Sequence, residues 1–376
     1  MEQTGIRLSA EAFGPLYPYI VNPEITDVDY NGTDLWIVTT DNRRRKIDTA
    51  KESISTSFLE QFCGRVANEV SRSFNQMENV LEAETENLRI TMVHESVAVS
   101  GRSFSIRKSL PAVRFSPDEA VAAEYCSAEM LGLLVNCVLA KMNFVFCGEP
   151  AAGKTECAKF FSQFIPANEK VITIEDNPEW HYRQINPGKD CVELKINSRL
   201  DYSKAIKTCL RLNPNWLMLS EVRSKEAKSL IECWSTGIKG FTTLHTDDVR
   251  KIPDRLLNMM EHQMDAERLV NDIYSYVDVG ILLRKKENLK DGTIRRYIDQ
   301  ICFFYRKKMD NRIALIAKDG VLQQAALPEE IVERFYREGI MQPMECKILG
   351  RLYDTKKKEY RLGNKEKERW DGNETE

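Results

Sequence analysis

The 376-residue chain has no C-x-x-C pair, four histidines, little net charge and no uninterrupted apolar run of membrane-spanning length. Each shortage removes a class of protein. The ten cysteines, at 63, 126, 137, 147, 157, 191, 209, 233, 302 and 346, lack the paired spacing of a disulfide framework or a zinc site. They read as the reduced thiols of a cytoplasmic protein. A formal net charge of -3 supplies no field for gripping a nucleic-acid backbone, so no direct nucleic-acid partner is expected. The most apolar stretch, Leu131 to Cys147, is interrupted by Asn136, Lys141 and Asn143 and falls short of the roughly 20 residues that a membrane helix needs. The opening MEQTGIRLSAEAFG has no basic segment leading into an apolar one, so no signal peptide is expected, and any membrane role runs through a partner. No internal repeat is visible.

What is present is the composition of a soluble globular protein, 42% apolar and 30% charged, in a chain long enough for two or three domains. Up to Lys108, short alternating runs (DLWIV, LRITMVH, SFSIR) and one helical stretch, Ser57 to Phe74, predict a small α+β domain with turns at Asn31-Gly32 and Ser100-Gly101. Residues 109–117 carry two prolines and read as a linker. From 118 to 310, helices near 120–139, 154–164, 203–211 and 225–234 alternate with strands at 143–147, 170–175, 191–196, 216–220 and 240–244. That order predicts an α/β domain built on a mostly parallel sheet. Beyond Asp291, TIRRYIDQICFFYR predicts antiparallel strands, and 311–376 is set apart as an extension whose stretch 356–369 is a charged tail.

Gly148-Glu149-Pro150-Ala151-Ala152-Gly153-Lys154-Thr155 fits G-x-x-x-x-G-K-[ST], directly after the strand NFVFC and before a helix. Glycines there let the backbone wrap a phosphate, so that amide N–H groups and the helix start face it. Lys154 is expected on the β- and γ-phosphates of ATP and the Thr155 hydroxyl on Mg²⁺. Two carboxylates follow at strand ends. Glu175, with Asp176 beside it in VITIEDNPEW, is the first choice as general base, the alternative being a carboxylate that caps a turn. Glu221, at the end of WLMLSEVR with Arg223 two residues on, is expected to hold Mg²⁺ and to polarise the nucleophile; the choice of base between the two carboxylates stays open here. His245, in GFTTLHTDD, is placed to sense the γ-phosphate.

These blocks, in this order, resemble the type II/type IV secretion ATPases, the hexameric traffic ATPases of pili, secretion and conjugation. GEPAAGKTE, VITIEDNPEW, LRLNPNWLMLSEVR and GIKGFTTLHTDD look like that family's Walker A, Asp box, Walker B and His box. The first of them brings Glu156 into the nucleotide-binding set. Arg255 in RKIPDRLL matches the arginine after the last block, and the stretch from Tyr19 to Leu283 is closest to the conjugative and Flp/Tad pilus branch. The resemblance implies a smaller N-terminal α+β domain, a RecA-like P-loop motor domain, a homo-hexameric ring and an inner-membrane platform protein as partner. It also implies that Arg89 and Arg107, with Arg102 a weaker third, reach the phosphates from the N-terminal domain. Ser220 stands where the family usually has Gly, and Ile238 where it usually has His; neither removes a group that hydrolysis needs.

Two rival readings keep the P-loop. A DNA translocase would want a dense basic stripe with interleaved aromatics, which is absent. A nucleotide-gated scaffold that does not hydrolyse would have no chemical need for both Glu175 and Glu221.

Overall fold

The computed structural model describes residues 10–346 apart from 42, 86, 261–264, 288–293 and 325. The chain divides into two compact units, Met1–Pro111 with Lys286–Arg295, and Ala112–Lys285 with Arg296–Glu376.

The first unit opens with two short helices, α1 (Ala10–Phe13) and α2 (Tyr17–Val21), and holds β1 (Ile25–Tyr30), β2 (Leu35–Thr39), β3 (Arg44–Lys46), α3 (Thr56–Glu69), β4 (Val80–Glu84), β5 (Leu88–Val93) and β6 (Ser103–Lys108). The strands form an antiparallel sheet in the order β3-β2-β1-β6-β5-β4. Period-2 alternation buries Leu88, Ile90 and Met92 of β5 with Phe104 and Ile106 of β6, in one core with Leu59, Phe62, Cys63 and Val66 of α3. Ser55 caps α3 by accepting from the Phe58 N–H at 3.0 Å. The helix ends before Phe74, because Ser71 turns left-handed at φ 53. The two expected turns touch: a Cβ on Gly32 (φ +96) would lie 2.4 Å from the Ser100 carbonyl oxygen, so only glycine fits.

The second unit is a nine-stranded sheet. Its elements are α4 (Pro117–Ala122), α5 (Ala128–Leu139), β7 (Phe144–Gly148), α6 (Lys154–Ser162), β8 (Val171–Glu175), α7 (Tyr182–Ile185), β9 (Cys191–Lys195), α8 (Tyr202–Cys209), β10 (Trp216–Leu219), α9 (Glu226–Ser235), β11 (Lys239–Leu244), α10 (Ile252–Met259), α11 (Ala266–Tyr276), β12 (Val279–Glu287), β13 (Ile294–Lys307), β14 (Asp310–Lys318), β15 (Val321–Leu322) and α12 (Glu329–Arg337). The order is β15-β14-β13-β12-β7-β11-β10-β8-β9, parallel from β12 to β9 and antiparallel from β13 to β15. Both faces are covered, so β7 is buried at every position. Phe144 and Phe146 enter the core with α5 and α6, while Val145 and Cys147 enter the one with α8, α9 and α10.

Three details differ from the sequence expectation. The helix expected over 120–139 is two helices, because Glu124 turns left-handed (φ 52) and Ser127 then caps α5 through the Met130 N–H. Residues 311–337, set apart as an extension, belong to the second unit: Ile316, Ala317, Ile331 and Phe335 lie in the same core as α5 and α6. The following segment is also tied down, since Asn136 Nδ2 donates to the carbonyls of Pro343 and Glu345, both at 2.8 Å. The charged stretch 356–369 lies outside the described residues. Among the described residues no helix is long and apolar enough to cross a membrane, and the cysteines are free thiols.

Candidate nucleotide site at the strand ends

In a parallel sheet, the loops after the carboxyl ends of the strands share one edge. Here that edge collects the loop after β7, the turn after β8, Glu221 after β10 and His245 after β11. The loop after β7 has the backbone that phosphate wrapping requires. Gly148 (φ 147), Ala151 (φ 60) and Gly153 (φ 92) all adopt positive φ, the alanine at an energetic cost that a binding loop tolerates. α6 then starts at Lys154 with no side-chain cap, leaving its first N–H groups to face the loop.

Lys154 is buried, with Nζ donating to the carbonyls of Gly148 (3.3 Å) and Glu149 (3.2 Å) and lying 3.4 Å from His245 Nδ1. Burial pulls its pKa down, against the pull of Glu221. His245 Nε2 is 3.1 Å from Glu221 Oε1. Burial, then the Lys154 ammonium, lower the His245 pKa, against the pull of Glu221. Lys154 has only protons to offer, so Nδ1 is the acceptor in that contact, and Nε2 faces the Glu221 carboxylate. Arg223 reaches Glu221 Oε2 through Nη2 at 2.8 Å and Asp176 Oδ2 through Nη1 at 2.8 Å. The Asp176 N–H donates to Tyr202 Oη at 3.1 Å, and that hydroxyl is 3.3 Å from Ser220 Oγ. Lys154, His245, Glu221, Arg223 and Asp176 thus form one connected chain of polar contacts.

Glu175 stands apart from it. Only 4% exposed, it accepts through Oε1 from the N–H groups of Glu179 and Trp180, both at 3.0 Å. Burial raises its pKa to about 8. This carboxyl caps the turn after β8 through Oε1. The side chain that faces the P-loop is Glu179, whose Oε2 accepts from Thr155 Oγ1 at 3.3 Å. Its signal in the sequence was the second glutamate of EDNPE, four residues after Glu175, but spacing cannot tell which of the two glutamates turns inward.

The remaining expected residues fall in three places. Glu156 points along α6 to Arg114 and Lys159, each at 3.2 Å, and so serves the helix surface. Arg255 is exposed on α10 at the rim of a cleft of about 550 Å³, shared with Glu149, His245, Lys251 and Arg284. Arg89 and Arg107 lie in the first unit, directly opposite each other across β5 and β6. Each has an acidic neighbour, Glu82 at 3.5 Å and Asp27 at 3.6 Å. Arg102, by contrast, is held by both carboxylate oxygens of Glu95 at 2.7 Å, an ion pair that keeps it in the fold.

The donor set suits a hard dication: the Thr155 hydroxyl and the Glu221 carboxylate offer oxygen ligands of the kind that hold Mg²⁺.

Residues 67–313 match the family described as type II/IV secretion system protein. An uncharacterized protein of Bacillus anthracis is 27% identical over 266 residues, covering 70% of this chain and 59% of that one. The type IV secretion system protein VirB11 of Brucella suis is 26% identical over 188 residues, covering 47% and 51%, and the conjugal transfer protein TrbB of Rhizobium radiobacter is 28% identical over 154, covering 40% and 46%. The match thus spans only about half the length of these relatives. Among solved structures, the Legionella pneumophila ATPase DotB aligns with a TM-score of 0.54 at 17% identity, covering 82% of this chain and 83% of that one. The pilus retraction motor PilT, solved with bound ADP, aligns at 0.56 and 14%, covering 89% and 90%. These two likenesses speak for the fold, an α/β domain on a mostly parallel sheet with a smaller N-terminal domain. The chain belongs to the type II/IV secretion system protein family.

Proposed function

We propose that the chain binds Mg-ATP on the loop Gly148–Thr155 and hydrolyses it as the motor of a secretion, pilus-assembly or conjugation machine. In this reading it works in the cytoplasm as a homo-hexameric ring, coupled to an inner-membrane platform protein, within the conjugative and Flp/Tad branch of its family. The observation that carries the proposal is the continuous contact from Lys154 through His245 to Glu221, beside the Thr155–Glu179 pair. Phosphate-holding and water-handling groups meet there at one sheet edge.

The chemistry follows from what each side chain can do. The backbone N–H groups of the loop from Ala151 to Thr155 hold the phosphates, and Lys154 exchanges the carbonyls of Gly148 and Glu149 for phosphate oxygens. When it does so, His245 Nδ1 loses its donor while Nε2 stays on Glu221, so the histidine reports the occupied state. Bound Mg²⁺ would withdraw charge from the terminal phosphates, with Thr155 and Glu221 as its protein-side oxygens. Glu179 takes the proton of the attacking water, replacing Glu175 in that role, and Arg223 keeps Glu221 and Asp176 in register. Arg255, at the rim of the cleft beside the P-loop, offers a further cation for developing phosphoryl charge.

The test is steady-state ATP hydrolysis across protein concentrations, with molar mass followed by light scattering, for the unaltered chain, Lys154→Ala and Glu179→Gln. Turnover that rises with hexamer formation and is lost in both variants supports the motor. Full turnover in a monomer rejects the ring, and turnover untouched by Lys154→Ala rejects the site.

A further inference from the structure

Arg296, near the start of β13, lies against the P-loop and is accounted for by neither motif nor strand-end chemistry. Its Nε donates to the Ala151 carbonyl at 3.0 Å. Its Cδ would stand 3.3 Å from a Cβ on Gly153, so a glycine there serves the arginine's close approach as well as the turn. The guanidinium is half-buried, and its Nη1 and Nη2 have no hydrogen-bond partner among the described residues. Among the described residues no carboxylate is left for it. Glu156, the acid that acts on it, is already shared by Arg114 and Lys159, while Arg114 repels it. A partly desolvated arginine with four unused N–H donors, against a loop built to wrap phosphate, is a group awaiting an anion.

The sheet order says which anion. Hydrolytic groups come from β11, β10 and β8, all on one side of β7: His245, Glu221 and Glu179. Arg296 comes from β13, on the other side of β7 beyond β12. A polyphosphate lying on the loop with its γ end toward His245 and Glu179 has its α end toward the β12–β13 flank. Resting on the nucleotide reading above, we propose that Arg296 is a binding residue for the nucleoside α-phosphate, its terminal nitrogens donating to the non-bridging α oxygens while Nε braces the loop at Ala151.

The test uses Mg-ATP and the two α-thio diastereomers of ATP, with binding measured for the full chain, Arg296→Gln, Arg296→Lys and Lys154→Ala. The expected result is a preference between diastereomers in the unaltered chain and a roughly ten- to hundredfold loss of ATP affinity in Arg296→Gln. The preference should fall close to one in that variant, with a smaller affinity loss in Arg296→Lys, which keeps the cation. Equal losses in the two arginine variants with the preference intact would make Arg296 a brace for the loop and overturn the proposal. So would an unaltered chain that binds both diastereomers as it binds ATP, a result that needs no variant to fold. ATP binding that survives Lys154→Ala unchanged would instead reject the nucleotide reading, and this proposal with it.

Discussion

Replacing Glu175 with glutamine separates a turn-capping carboxyl from a general base. Burial lifts its pKa from 4.5 to about 8, so between those values the group is neutral in the fold and ionised in the unfolded chain. The folded state then binds the extra proton. Stability is therefore undiminished by this group below pH 4.5, falls as pH rises from there, and levels off above about 8. At ~1.4 kcal/mol per pKa unit, the penalty is about 2 kcal/mol at pH 6 and about 4 kcal/mol at pH 8. Glutamine does not titrate, and its Oε1 still accepts from the Glu179 and Trp180 N–H groups. The stability of Glu175→Gln relative to the unaltered chain should thus rise by about 2 kcal/mol from pH 6 to pH 8, read from urea unfolding of the nucleotide-free protein. Its kcat should stay within a few-fold of the original. A stability difference that ignores pH would refute the neutral buried carboxyl. A hundredfold or greater fall in kcat at unchanged nucleotide affinity would return the base role to Glu175.

Three further outcomes follow from the same geometry. Glu179→Gln should lower kcat by roughly 10²–10⁴-fold while ATP affinity changes little, since it removes a proton acceptor and keeps the hydrogen-bond acceptor for Thr155; steady-state and single-turnover kinetics check it. Gly132→Ala places a Cβ 2.3 Å from the Met344 carbonyl oxygen and should destabilise the second unit by about 1–3 kcal/mol, seen as a lowered Tm, despite alanine's better helix propensity. Arg334→Ala strands buried Asp278, which also accepts from the Asn143 N–H at 2.7 Å, and should cost about 3–5 kcal/mol in a denaturant melt. An unchanged melt would mean that α12 is not held by this pair.

Much of the fold was legible because it follows from periodicities that the chain carries locally. Leu88, Ile90 and Met92 alternate in sequence and are buried in the structure, and GEPAAGKT sits between an apolar strand and a helix in both. The break between α4 and α5 was not legible, because a left-handed Glu124 leaves no mark in an apolar pattern. Nor was the docking of Ile331 and Phe335, which amphipathic spacing shows as a helix without naming the surface that it covers.

The sequence by itself determined the loop: Gly148 and Gly153 stand where it turns at positive φ, and Lys154 and Thr155 open the helix that follows. It also placed Glu221 and His245 at strand ends. Tertiary structure alone decided which acid meets the loop and which is buried, since Glu175 and Glu179 differ only in how the turn after β8 directs them. It alone brought Arg296 to Ala151 across 145 residues of chain. Local spacing fixes what a segment can form; which distant side chains share a site depends on the order in which strands pair, and that order is set by packing over the whole sheet.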